Sequence, residues 1–328
     1  MALAVDRKQV LAFRRRAMHL VERLPPGSIV TAARGGLQDS APRSAVISLA
    51  ARAYGVQPDD WQHPDVVQIW GPRGAVFVVP AADVDIFTIG RLPRDPDQRA
   101  AIEAILTRPA AKRDELRWAS PTGRIRIQWD TRDTTVQLVD RPVAADDPEP
   151  LRLELARRFL GWLGPATAKA FARWAGIEPA DADATWRSLG DELVAVDVDR
   201  KRRWLLAGSE PALTAVPTEE PVRWLPQGDP YLLSADRHLL VPEADQRARV
   251  FPKSVWPGVL LVDGELVGTW RRQQGRITVD PWHPLPDAVV EAAEAEAARL
   301  PLAVDTILVE WASTPTPRPA PATPRSYG

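Results

Sequence analysis

The chain has 328 residues, 45% of them hydrophobic and 26% charged, a globular composition long enough for two or three domains, with no apolar run that approaches membrane-spanning length. It contains no Cys and four His, which excludes a disulfide framework, thiolate catalysis and Cys-ligated metal; no metal and no cofactor is expected. A formal net charge of −1 excludes a globally basic nucleic-acid binder, so any cationic face must be local.

Residues 6–23 place Val10, Phe13, Ala17 and Leu20 at helical spacing, with Arg14, Arg15 and Arg16 on the polar side, and predict an amphipathic opening helix. A Pro-Gly break in "LPPGS" follows. In "GGLQDSAPRSAVISLAAR", Val46, Leu49, Ala50 and Ala53 mark one face of a second helix that starts near Ala41-Pro42 and stops near Gly55. The β-branched and aromatic runs of "VVQIWGPRGAVFVVP" flank a Gly-Pro-Arg-Gly turn, a hairpin signal. Helices then a hairpin are the outline of a winged helix. The outline recurs: helices over 97–106 and 110–118 precede the strands of "GRIRIQWDTRDTTVQLVD", and helices over 151–163, 165–175 and 180–189 precede the hairpin "LVAVDVDRKRRWLLAG".

The connectors "AADDPEP" and "AVPTEEPV" read as linkers. Beyond them "GVLLVDGELVGTWRR" carries an Asp-Gly turn between alternating residues, "GRITVDPW" continues the sheet, and a helix over 285–300 precedes the strand "DTILVEW". The expected architecture is α+β: winged-helix units at 1–95, 96–145 and 146–215, a β-rich subdomain at 221–312, and a Pro-rich tail at 313–328 too poor in apolar residues to pack. The N-terminus lacks the basic and apolar segments of an export signal, so a cytoplasmic protein is expected, acting as a monomer.

The step Gln38-Asp39-Ser40 admits two readings. Asp39 or Ser40 can cap the helix that follows, accepting the free amide protons of its first turn. The same amides, with Arg43, can instead hold a phosphate. Local cations stand at Arg73 in "GPRG", at the hairpin tip Arg200-Lys201-Arg202-Arg203, and at Arg271-Arg272, which Glu265 or Asp280 would otherwise neutralise. Asp229 and Tyr231 in "GDPYLL" read as structural, and of the 13 Trp only Trp61 and Trp70 lie where a base could stack.

The segments "GLQDSAPRSA", "VQIWGPRGAVFVVPAADV", "WLGPATAKAFARWAG", "GDPYLLSADRHLLVP" and "WPGVLLVDGELVGTWRR", in this order, resemble the winged-helix DNA-binding family that includes the AlkZ-like and YcaQ-like DNA glycosylases. The resemblance implies tandem winged-helix units that cup double-stranded DNA, and hydrolysis of the glycosidic bond of bulky N7-alkylated purines or crosslinks. That family's signature is a Gln, an aliphatic residue and a Gln or Asp that hold the attacking water. The corresponding residues are Gln38, Asp39 and Ser40, which keeps the first Gln and changes the other two. Gln38 would orient the water through its carbonyl oxygen, aided by Asp39 or Ser40. A non-enzymatic DNA-binding protein, a damage sensor or regulator in which this step only shapes a helix start, is the alternative.

Overall fold

The computed structural model describes residues 3–108, 111–140, 147–215 and 221–312. The fold is mixed α+β, with three sheets among the described residues. The tail 313–328 and parts of both connectors lie outside them.

The first stretch runs β1 (Leu3–Val5), α1 (Arg7–Ala17), α2 (Ile29–Ala32), β2 (Leu37–Gln38), α3 (Ser44–Arg52), β3 (Val66–Trp70), β4 (Val76–Pro80) and α4 (Val84–Phe87). Asp6 and Gln9 cap α1 reciprocally, each side chain accepting the other's backbone N–H. The helix ends at Ala17 rather than near residue 23, because His19 takes φ 57, which a right-handed helix cannot continue. Its arginines correct the amphipathic expectation. Arg14 and Arg15 are buried, Arg14 gripping Asp236 and Arg15 donating to Tyr231 Oη and Gly264 O.

The second stretch holds α5 (Pro96–Leu106), α6 (Arg113–Trp118), β5 (Ile125–Trp129) and β6 (Thr134–Leu138). Gln68 of β3 lies opposite Ile127 of β5, which joins the two hairpins into one sheet of order β2-β4-β3-β5-β6. The expected boundary at 95/96 is therefore crossed by a continuous sheet. Backbone N–H and C=O groups at a strand edge find partners wherever another edge lies alongside, irrespective of sequence distance.

The third stretch holds α7 (Glu149–Leu163), α8 (Ala168–Ala175), α9 (Pro179–Leu189), β7 (Leu193–Val198), β8 (Lys201–Leu206) and α10 (Glu210–Thr214). Thr167 caps α8 through Ala170 N, and Gly176 at φ 69 ends it. The N-terminal β1 pairs in parallel with β7, Leu3 opposite Val196, so the chain's start completes this sheet.

The last stretch holds β9 (Arg223–Leu225), α11 (Arg237–Leu240), α12 (Ala244–Val250), β10 (Gly258–Val262), β11 (Glu265–Gln273), β12 (Arg276–Pro281), α13 (Asp287–Ala297) and β13 (Leu308–Trp311). Asp263 and Gly264 both take positive φ between β10 and β11, as a two-residue hairpin turn requires. The sheet order is β13-β12-β11-β10-β9. Helix α3 packs against β9, and all nine residues of α3 are buried, not one face of it. Burial on every side means that the charge at the end of this helix needs a buried partner: Arg52 reaches both carboxylate oxygens of Asp229 at 2.8 Å, and Ser48 Oγ donates to the same group at 2.7 Å.

Candidate active-site cleft and nucleic-acid interface

The first turn of α3 determines what the polar step does. Arg43, in the left-handed region at φ 62, supplies no side-chain cap, and the helix begins at Ser44 rather than near Ala41-Pro42. The open donor Ala45 N is met by Asp39 Oδ1 at 3.0 Å. Asp39 Oδ2 accepts from Gln68 Nε2 at 3.0 Å, and Gln68 Oε1 accepts from Trp129 N at 2.7 Å. One carboxylate thus fastens α3, β3 and β5 together. Asp39 is 0% exposed, and burial pushes its carboxyl up to about 6 against the downward pull of Ala45 N, Arg43 and Gln68. A base or cation-stabilising role for Asp39 needs a carboxylate turned to substrate; this one is committed on both oxygens and does not line the cleft.

Gln38 lies the other way. As the last residue of β2 it sits opposite Phe77 of β4, and its side chain lines a cleft of about 280 Å³. Its Nε2 donates to Ser40 Oγ at 3.1 Å, and its Oε1 is buried with no partner among the described residues. Gly228 closes over the amide. A Cβ there would lie 3.0 Å from both Gln38 Cδ and Nε2, and Gly228 takes φ 73. The next residue is Asp229, so the Arg52–Asp229 ion pair holds Gly228 against Gln38 from one side while α3 is capped from the other. Asp229 also accepts from Tyr231 N at 3.0 Å, and Tyr231 is buried.

Three arginines line the same cleft: Arg73 from the β3–β4 turn, Arg173 from α8 and Arg237 from α11. Among the described residues none has a carboxylate partner, and no Asp or Glu lines the cleft. Burial first, and then repulsion by Arg173 and Arg237, lowers the pKa of Arg73; burial and Arg173 do the same to Arg237. Arg73 remains open to solvent within this concavity, at φ 58. Arg237 is fixed by aromatic rings, 4.3 Å from the Phe251 centroid and 4.8 Å from that of Trp256. Like charges gathered without a counter-charge are costly unless an anion occupies the space between them.

The remaining cations are placed differently. Arg43 stacks on Trp61 at 3.6 Å and donates to Trp129 O at 3.2 Å, so it is occupied inside the fold. At the third hairpin the turn is Asp199-Arg200, with Arg200, Lys201 and Arg202 exposed; Arg203 is drawn inward to Asp236 at 3.1 Å. Arg272 donates to Pro42 O at 3.0 Å and Arg271 to Val255 O at 3.4 Å. The partners expected for them are engaged elsewhere, Glu265 with Arg7 and Asp280 with Arg249. Trp61 and Trp70 are 7% and 2% exposed and have no free face for a base. Sequence reading missed Arg173, Arg237 and Trp256. Each lies in or beside a recognised segment, yet a single Arg on a short helix looks like any solvated residue.

The family model described as "DNA glycosylase AlkZ-like" matches residues 110–301. The chain belongs to the AlkZ-like DNA glycosylase family. Arg173, Gly228, Arg237 and Trp256 fall within the matched segment, whereas Gln38, Asp39 and Ser40 precede it. The chain is also 29% identical over 161 residues to the "Interstrand DNA cross-link repair glycosylase" of Streptomyces sahachiroi. That alignment takes in 47% of this chain and 43% of the relative, so it spans less than half of the relative's length. Among solved structures, the Streptomyces sahachiroi DNA glycosylase AlkZ superposes with a TM-score of 0.77 at 20% identity, covering 94% of this chain and 100% of that one. At that identity the likeness is one of fold. No helix among the described residues is long and apolar enough to cross a membrane.

Proposed function

We propose that the cleft binds double-stranded DNA and hydrolyses the glycosidic bond of an N7-alkylated purine, with Gln38 holding the water. The observation that carries this reading is the Gln38 side chain, which lines an arginine-walled cleft while its Oε1 has no partner among the described residues. A buried carbonyl oxygen left unmatched costs roughly 1–3 kcal/mol. Rotation of the amide toward an entering water would recover that cost and orient the nucleophile. Arg73, Arg173 and Arg237 would bind the phosphates flanking the target nucleotide, and those phosphates would neutralise the cleft as the sugar acquires positive charge. The winged-helix organisation of the three helix-then-hairpin stretches belongs to this reading.

The lack of any acid in the cleft lining, among the described residues, fits a substrate whose leaving group needs no protonation. Without a general base or acid, the leaving group must depart unaided. A purine alkylated at N7 already carries positive charge; the C1′–N9 bond breaks with its electrons moving to the base, water adds at C1′, and the released proton passes to solvent. The same absence also favours the second reading, a DNA-binding protein without chemistry. Incubation of N7-alkylated duplexes, scored for free base and heat-labile abasic sites, separates the two. Base release abolished by Gln38→Ala, with duplex affinity and melting temperature held within a few degrees of wild type, supports the enzyme; binding without release from any alkylated duplex leaves the second reading.

A further inference from the structure

Trp118 stands apart from the other tryptophans. It is 60% exposed, whereas every other Trp is buried or half-buried among the described residues. A large flat ring held in water at the end of a helix forfeits the burial that tryptophan otherwise supplies. Its neighbour does the opposite. Arg117 folds beneath, its guanidinium 6.0 Å from the Trp70 ring centroid. Both residues meet the β3–β4 turn: a Cβ built on Gly74 would lie 2.8 Å from Arg117 Cδ and 3.9 Å from Trp118 Cη2. Gly74 directly follows Arg73, which lines the cleft with Arg173 and Arg237. The exposed ring therefore borders the same turn that carries Arg73.

We propose that Trp118 stacks on an unstacked base of the DNA whose phosphates the cleft arginines hold, and so finds sites where pairing is weakened. The inference rests on the DNA-binding reading given above. Charge complementarity selects the occupant: three cleft arginines with no carboxylate partner among the described residues attract a polyanion, and a base is the flat apolar part of that polyanion. Stacking is indifferent to base identity because every base has a π-face, so the contact reports loosened pairing rather than sequence. Gly74, lacking a side chain, leaves Trp118 and Arg73 close enough to act on neighbouring nucleotides.

The test measures affinity of the full chain for a fully paired duplex and for the same duplex with one mismatch, across a salt series, using Trp118→Ala and Trp118→Phe. Trp118→Ala should weaken mismatch binding roughly tenfold and paired binding less, with the salt slope unchanged, and Trp118→Phe should recover most of the loss. An exposed side chain should leave the melting temperature of both variants at the wild-type value, which a thermal scan verifies. Unchanged affinity in Trp118→Ala overturns the proposal. So does a wild-type dimer that Trp118→Ala dissociates while DNA affinity stays the same, since a second copy would then cover the ring. If wild type binds neither duplex, the DNA-binding reading itself fails and carries this proposal with it.

Discussion

Asp39 shows how one residue can carry a catalytic look and a structural task. Its two oxygens satisfy Ala45 N and Gln68 Nε2 in a site closed to water. Asp39→Ala leaves both donors without a partner, and we expect a loss of roughly 1–3 kcal/mol in unfolding free energy, with the base-release rate of the folded fraction retained. The pH dependence has a defined sign. Burial raises the folded carboxyl from an ordinary 3.8 to about 6, so between those values the folded protein holds a proton that the unfolded chain has released. The Asp39 contribution to stability therefore falls as pH rises from 3.8 to about 6 and is level above. Asp236 works in the opposite direction. Burial would raise it, but Arg14, Ser234 and Arg203 hold it well below the usual carboxylate range, so its contribution is present above the ordinary carboxylate pKa and is lost only in stronger acid. Urea midpoints measured against pH should show a decline between pH 4 and 6, as roughly bounded by these values, that Asp39→Asn removes; persistence of that decline in Asp39→Asn would assign it to another group.

At the scale of elements, two buried ion pairs bind the N-terminal helices to the "GDPYLLSADR" segment. Arg52–Asp229 joins α3 to the residue after Gly228, and Arg14–Asp236 joins α1 to the residue before Arg237. Both pairs thus hold neighbours of cleft residues, one beside the glycine over Gln38 and one beside a cleft cation. Removing one partner strands a charge that is dry on every side. Asp229→Ala should cost about 3–5 kcal/mol in a denaturant titration, and Arg52→Met combined with Asp229→Leu should recover part of it, because an apolar pair needs no desolvation while Ser48 Oγ and Tyr231 N still lose their acceptor. The discriminating outcome is recovery of stability without recovery of base release, which would show that the pair places Gly228 and Gln38. Full recovery of both would reduce it to packing.

The whole molecule is nearly neutral, so the DNA affinity proposed for it would have to come from the arrangement of charge. Arg73, Arg173 and Arg237 come from three stretches of chain that are far apart in sequence and converge on one cleft. Replacing all three with Gln should lower the slope of log affinity against log salt by roughly 2–3, because a phosphate that meets no arginine keeps its condensed counterions. An unchanged slope would take the cleft out of the interface. The exposed Arg200, Lys201 and Arg202 form a separate patch that a second triple variant tests, with Arg203 left intact because Asp236 holds it.

The helix-then-hairpin order was legible in the amino-acid sequence, since apolar spacing, Pro-Gly breaks and the Asp263-Gly264 turn are local signals. The resemblance carried by the ordered segments reached the right family for the same reason: those segments are contiguous. What lay beyond sequence were the matters that depend on which surfaces meet. β5 joins the β3 edge and β1 joins β7 because open strand edges pair with whatever lies beside them. That Asp39 caps the helix was one of the two readings the local sequence offered, but the register was not: the helix starts at Ser44, after a left-handed Arg43, and the cap reaches a donor six residues on. Arg14, Arg15 and Arg203, expected in solvent, were drawn inside by partners more than thirty positions away, and Arg173 and Arg237 became one site with Gln38 only when three elements closed around the same space. Local spacing sets the elements; charge compensation and edge pairing act through space, and only the folded chain determines them.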